Sequence, residues 1–241
     1  MNVDHCPANE SDVAAAVPKF KEDTEKSPSL EFKPEPERRP SNAGTTYESL
    51  YALRKGVIPT PVCDGLEELP HAAAERARFN ELLSPTNSTR HLEYGLALTV
   101  GSAVGNEPPC IDCCLAAFLV ANKERLTAGA RAWTKHCHRS ERPSDDVLSG
   151  TIEGWWDKPK GPVDVINAKA LALFWKIMKA ATWRNLHWLP HQILVYEVRI
   201  KAGYGMRWSQ DLSPGGGDHV WSFRGYVEPM MENGHERGWK H

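Results

Sequence analysis

From residue 192 to the carboxy terminus the chain takes on a strand-forming texture, and this most constrains its fold. The run ILVYEVRIKAGYGMRW is rich in β-branched and aromatic residues, as is the later run HVWSFRGYVEP. Between them lies SPGGGD, too glycine-rich for a helix and suited to a long hairpin turn. An antiparallel sheet is therefore expected at the end of the chain. The last residues, GHERGWKH, close it with imidazole, indole and guanidinium groups.

Upstream, the apolar spacing is helical. Pro70 followed by HAAAERARFNELL predicts a helix that stops near Ser84 and Pro85. The run LALTVGSAV, from Leu96 to Val104, has no readable period and fits a buried strand or a helix, of which a helix is favoured. A further helix is expected from Pro109 to about Asn122 and another to about Lys135, with a loop from Pro143 to Gly154. After Pro162, Ile166, Ala170, Leu173, Ile177 and Ala181 keep one face apolar while Lys169, Lys176 and Lys179 occupy another. Strand texture takes over beyond Asn185. With helices first and sheet last, the expected class is α+β: a mostly helical amino-terminal part and a carboxy-terminal antiparallel sheet or hairpin, not alternating βαβ units.

Residues 1–43 hold six of the 18 prolines, nine acidic and six basic side chains, and few aromatic or β-branched residues. Such a segment buries too little apolar area to offset its ordering entropy, so a disordered tail is expected. A helix signal at Thr46, Tyr47, Glu48, Leu50, Tyr51 and Leu53 then opens a single domain spanning 44–241. An apolar fraction of 41% supplies a core for it. No apolar run approaches the roughly 18 residues a membrane helix needs, so no membrane partner is expected. The start, MNVDHCPANESDV, resembles no secretory signal, which points to the cytosol or nucleus.

Cys110, Cys113 and Cys114, with His136, Cys137 and His138 downstream, suggest zinc by residue type. Their spacing suggests packing instead: positions 110, 113, 114, 117, 118 and 121 make one helical stripe of Cys, Cys, Cys, Ala, Phe and Ala. Cys110-Ile-Asp-Cys113 at a helix start also has the form of a redox CxxC, without the βαβ context that usually accompanies one. His187 and His191 are separated by Pro190, which keeps them off one helical face. No metal site and no cofactor is assigned.

The hairpin carries the sharper signal. Regular alternation puts Tyr204, Met206 and Trp208 on one face and Arg207 on the other. In the partner run, Trp221, Phe223 and Gly225 share a face opposite Ser222, Arg224 and Tyr226. One side is then core-like, and Arg207, Arg224 and Tyr226, with Trp208, are the candidate ligand-binding residues. The arginine fork suits phosphate or carboxylate, unless Glu228 or Glu236 pairs with it.

The first functional expectation is accordingly a binding domain for an anionic small molecule or a protein partner. The alternative is a hydrolase or transferase, metal-dependent or not, in which His219 or His235 acts beside Glu228. A third is an RNA or single-stranded nucleic-acid platform. Six basic side chains (Arg199, Lys201, Arg207, Arg224, Arg237, Lys240) against six acidic ones (Glu197, Asp211, Asp218, Glu228, Glu232, Glu236) give 185–241 no net charge to support it. Neither GxGxxG nor GxxxxGK[ST] occurs, so no phosphate loop is read into Gly203, Gly205 or the run Gly215, Gly216 and Gly217; that run is a turn in which Asp218 hydrogen-bonds locally.

Overall fold

The apolar stripes upstream of the sheet become helices, most of them short. The structure is a computed structural model that describes residues 58–79, 87–140 and 154–230. Within it lie α1 (Ala72–Phe79), α2 (Asn87–Glu93), α3 (Ile111–Leu119), α4 (Ala128–His136) and the long α5 (Val163–Ala180). Side-chain caps set two of the starts. The Cys110 sulfur accepts from the Cys113 N–H at 3.3 Å at the head of α3, and Thr127 Oγ1 accepts from the Ala130 N–H at 3.1 Å at the head of α4.

α5 runs straight into β1 (Ala181–Leu189), followed by β2 (Ile193–Ile200), β3 (Gly205–Asp211) and β4 (Ser222–Val227). The four strands form an antiparallel meander in the order β1-β2-β3-β4, so the chain is α+β with helices first and sheet last. Two boundaries differ from the sequence reading. Strand structure already starts at Ala181, and ILVYEVRIKAGYGMRW is two strands, turning back through 201–204, where the Ile200 N–H donates to Tyr204 O at 2.9 Å.

Leu96–Val104 is not a helix. β1 is the outer strand of the sheet and its carbonyls need donors. The 97–103 segment lies along that edge, with the Ala97 N–H on Arg184 O and the Ala103 N–H on Leu186 O, both at 2.7 Å, while the Trp188 N–H donates to Gly101 O at 3.0 Å. An extended strap meets those groups; a helix would spend its own N–H groups internally.

One sheet face packs on the helices. Leu186, Leu194, Tyr196, Val198, Met206, Trp208 and Tyr226 meet Phe118, Trp133, Phe174 and Ile177 in a single buried cluster. Burying an aromatic of this kind removes about 150–250 Å² from water and contributes a few kcal/mol. The Trp208 indole N–H donates to Cys114 O at 2.9 Å, which ties β3 to α3. At the crossing of α3 and α4, Gly129 leaves room for the Phe118 ring: a Cβ there would sit 1.9 Å from Phe118 Cζ.

No helix among the described residues is long and apolar enough to cross a membrane. The tail 1–43, most of the 143–154 loop and the GHERGWKH closure with His235 lie outside the described residues.

Candidate functional site

The sheet face turned away from α3–α5 carries Glu197, Arg199 and Arg207, and strand register lines them up. Across the centre, Asn185 on β1 pairs with Glu197 on β2, Glu197 with Arg207 on β3, and Arg207 with Gly225 on β4. One pleat along, His187 pairs with Val195, Val195 with Ser209, and Ser209 with Ser222. In the other direction Trp183, Arg199 and Gly205 form a row. Same-face neighbours in adjacent rows lie within side-chain reach, so His187, Glu197, Arg199 and Arg207 occupy one patch.

The two ends of this face differ. Around Arg199 it is covered: Cys63, Leu66 and Ala97 pack on Trp183, and the Asp64 N–H donates to Lys201 O at 2.8 Å. Around His187, Ser209 and Ser222 it is open, over a floor made by the fully buried Val195. Thr99 and Ser102 of the strap form its rim beside β1: Ser102 Oγ donates to Asn185 Oδ1 at 3.2 Å, and Asn185 Nδ2 donates to Thr99 Oγ1 at 2.9 Å. Beyond Ser209 and Ser222 an open depression of about 440 Å³ is lined also by Asp211, His219 and Arg224.

Electrostatically, Glu197 is the hub. Arg199 Nε donates to its Oε1 and Arg207 Nε to its Oε2. Burial alone would raise this carboxyl, but the two guanidinium groups outweigh it and hold Glu197 down to about 2. Arg199 is fully buried, and its Nη1 also donates to the carbonyls of Gly203 and Glu228. Arg207 keeps 27% of its side chain exposed. Arg224 is exposed and has no ion-pair partner among the described residues. Burial pushes the His187 imidazole below its ordinary range; Glu197 opposes that, while Arg207, Arg199 and Arg224 reinforce it. Its Nδ1 is buried and has no hydrogen-bond partner among the described residues.

The residues singled out from the sequence land in different places. Arg207 and Arg224 are on this face as expected, but Arg207 pairs with Glu197, not with Glu228 or Glu236. Tyr226 is not on it. The register places Arg207 opposite Gly225 yet Trp208 opposite Phe223, so Arg224 is an extra residue, a bulge that reverses the alternation of β4. Gly225, at φ 133°, takes the conformation the bulge demands. Tyr226 consequently turns into the core at 2% exposure, where burial raises its phenol well above the ordinary range. Trp208 is likewise core, fully buried.

Glu228 and His219 are not brought together. The six residues of β4 separate them, roughly 20 Å of strand. Glu228 is buried on the helical side of the sheet, where its Oε1 accepts from the Trp156 indole N–H at 2.9 Å and lies 3.6 Å from His136 Nδ1. His219 sits at the rim of the depression, its Nδ1 2.7 Å from Asp211 O. Asp211, not Asp218, organises the glycine turn: its Oδ1 accepts from the Ser213 N–H at 2.9 Å and the Ser213 hydroxyl at 2.6 Å. Cys113, Cys114, Ala117 and Phe118 form the buried face of α3. Among the described residues no group of three or more His, Cys, Asp or Glu side chains is placed to hold a metal ion.

Sequence reasoning missed Glu197 and Arg199 and passed over His187. The signal was present: charged residues two apart within an otherwise apolar strand, Glu197 and Arg199, beside Asn185 and His187 two apart in the preceding strand. It required β1 and β2 to be recognised as neighbours.

Residues 119–228, from the end of α3 through β4, match the family model of the CdiA C-terminal tRNase toxin domain. The match spans somewhat less than half of the chain and contains every charged residue of the patch. It overturns the expectation of a generic ligand- or partner-binding domain, because the matching family is one of nuclease toxins. No curated protein and no solved structure gives a match.

Proposed function

We propose that this chain is an RNA endonuclease that cleaves tRNA on the polar face of its sheet. The observation that carries the reading is the convergence of His187, Glu197, Arg199, Arg207 and Arg224 on one face, inside the region that matches the tRNase toxin model. Cleaving an RNA strand by attack of a ribose 2′-hydroxyl on the adjacent phosphate needs a proton acceptor, a cation to take the charge that builds on phosphorus oxygens, and a proton for the departing 5′-oxygen. His187, kept neutral near pH 7 by burial, takes the 2′-hydroxyl proton. Arg207 and Arg224 hold the phosphate with planar donor forks. Glu197 is too firmly ionised to be a useful base at neutral pH and serves to fix Arg207 and neutralise Arg199. His219, which lines the depression together with Arg224, supplies the proton to the leaving oxygen.

The test is cleavage of total tRNA by the purified chain, read on denaturing gels, with His187→Ala and Arg224→Ala as the variants. Wild type should cut, leaving 2′,3′-cyclic phosphate and 5′-hydroxyl ends. Loss of a general base lowers the rate about 10²–10⁴-fold, and His187→Ala should fall by that order with circular dichroism unchanged. Arg224 is solvent-exposed, so its removal should cost activity and no stability. Intact tRNA after prolonged incubation with wild type, or undiminished cutting by both variants, removes the reading.

A further inference from the structure

Cys110 and Cys113 lie outside both the polar face and the matching region, at the head of α3. Their sulfurs are 2.9 Å apart and share a hydrogen bond, within about 1 Å of disulfide bonding distance. The Cys113 N–H and the α3 turn hold the Cys110 sulfur in place, and the Cys114 N–H closes the first turn on Cys110 O at 3.0 Å. Cys110 is half-buried and reachable from solvent, whereas Cys113 is at the edge of the core and Cys114 is fully enclosed. We propose that Cys110 and Cys113 are a redox-active dithiol that closes to a disulfide across the first turn of α3 by exchange with glutathione disulfide.

The exchange balances without any further reactant. The Cys110 thiolate attacks one sulfur of glutathione disulfide, breaking its S–S bond and expelling one glutathione thiolate. Cys113, on losing its proton to solvent, then attacks the Cys110 sulfur of the mixed disulfide and expels the second glutathione. Two protein thiols and one glutathione disulfide become one protein disulfide and two glutathiones. The roles follow from the surroundings. The hydrogen bond shared with Cys113 is the main cause that lowers the Cys110 thiol to about 6, against the raising effect of burial, so it is largely thiolate at neutral pH. Cys63 is the contrast: burial pushes it up to about 11, and it stays an unreactive thiol.

The experiment equilibrates the full chain in glutathione buffers from fully reduced to fully oxidised, then alkylates it and reads intact mass and cysteine-containing peptides. Wild type should lose two hydrogens, with protection from alkylation confined to Cys110 and Cys113. Cys113→Ser should stop at a stable glutathione adduct on Cys110, and Cys110→Ser should form far less adduct at Cys113. Free alkylation of both thiols at the oxidised end, a bridge to any other cysteine, or equal adduct formation in the two variants overturns the proposal.

Discussion

Replacing Glu197 by Gln keeps the size of the hub side chain, removes its charge, and turns one of its two acceptor oxygens into an NH2 group that faces a guanidinium N–H. The buried carboxylate sits between Arg199, with no exposed side-chain area, and Arg207, with 27%. Removing one partner of such a group costs about 3–5 kcal/mol, because the remaining charge stays buried and uncompensated. The lowered carboxyl gives a second figure. The fall of the carboxyl from 4.5 to about 2 is worth roughly 3 kcal/mol of folding free energy, at about 1.4 kcal/mol per decade. The pKa is lowered in the folded state, so this stability is full above pH 4.5, decays as pH falls, and is gone below about 2. Urea unfolding of wild type and Glu197→Gln should therefore differ by about 3 kcal/mol at pH 7, or by about 6–12 °C in melting temperature. The gap should narrow steadily between pH 4.5 and 2. Equal stability at pH 7, or a gap that does not change with pH, would refute the reasoning.

Other expectations follow from the same geometry. If His187 is the proton acceptor, the acid limb of the pH–rate profile for tRNA cleavage should lie below pH 6.5, the ordinary midpoint of an imidazole, since burial lowers its pKa. A pH-rate profile with its acid limb at or above 6.5 argues against that role. Gly129→Ala drives a methyl into the Phe118 ring and should destabilise by about 1–3 kcal/mol in chemical denaturation, a loss that Phe118→Leu in the same chain should partly reverse. Glu228→Ala strands the buried Trp156 indole N–H and should cost about 1–3 kcal/mol, with a shift in tryptophan fluorescence and no direct effect on the polar face.

Amphipathic period alone placed α5, the helical face of Cys113, Cys114, Ala117 and Phe118, and the succession of helices then sheet. These are local properties: a stripe every three or four residues, or β-branched runs broken by glycine, declares its element without help from distant residues. Leu96–Val104 failed because its conformation answers to the unpaired edge of β1, far away in sequence. Tyr226 failed for a related reason. One extra residue in β4, Arg224, reverses the alternation, and a bulge is decided by pairing with β3 rather than by β4 itself.

The candidate site shows the same division. Arg207 and Arg224 were visible as arginines in a strand, which fixed their residue type and their association with the hairpin. Their companions were decided by register: Glu197 lies opposite Arg207 on β2, and His187 reaches the same face from β1, which the sequence reading did not join to that hairpin. A carboxylate between two guanidiniums, with an imidazole one pleat away, is a property of three aligned strands, and a chain read residue by residue holds its members but not their neighbours.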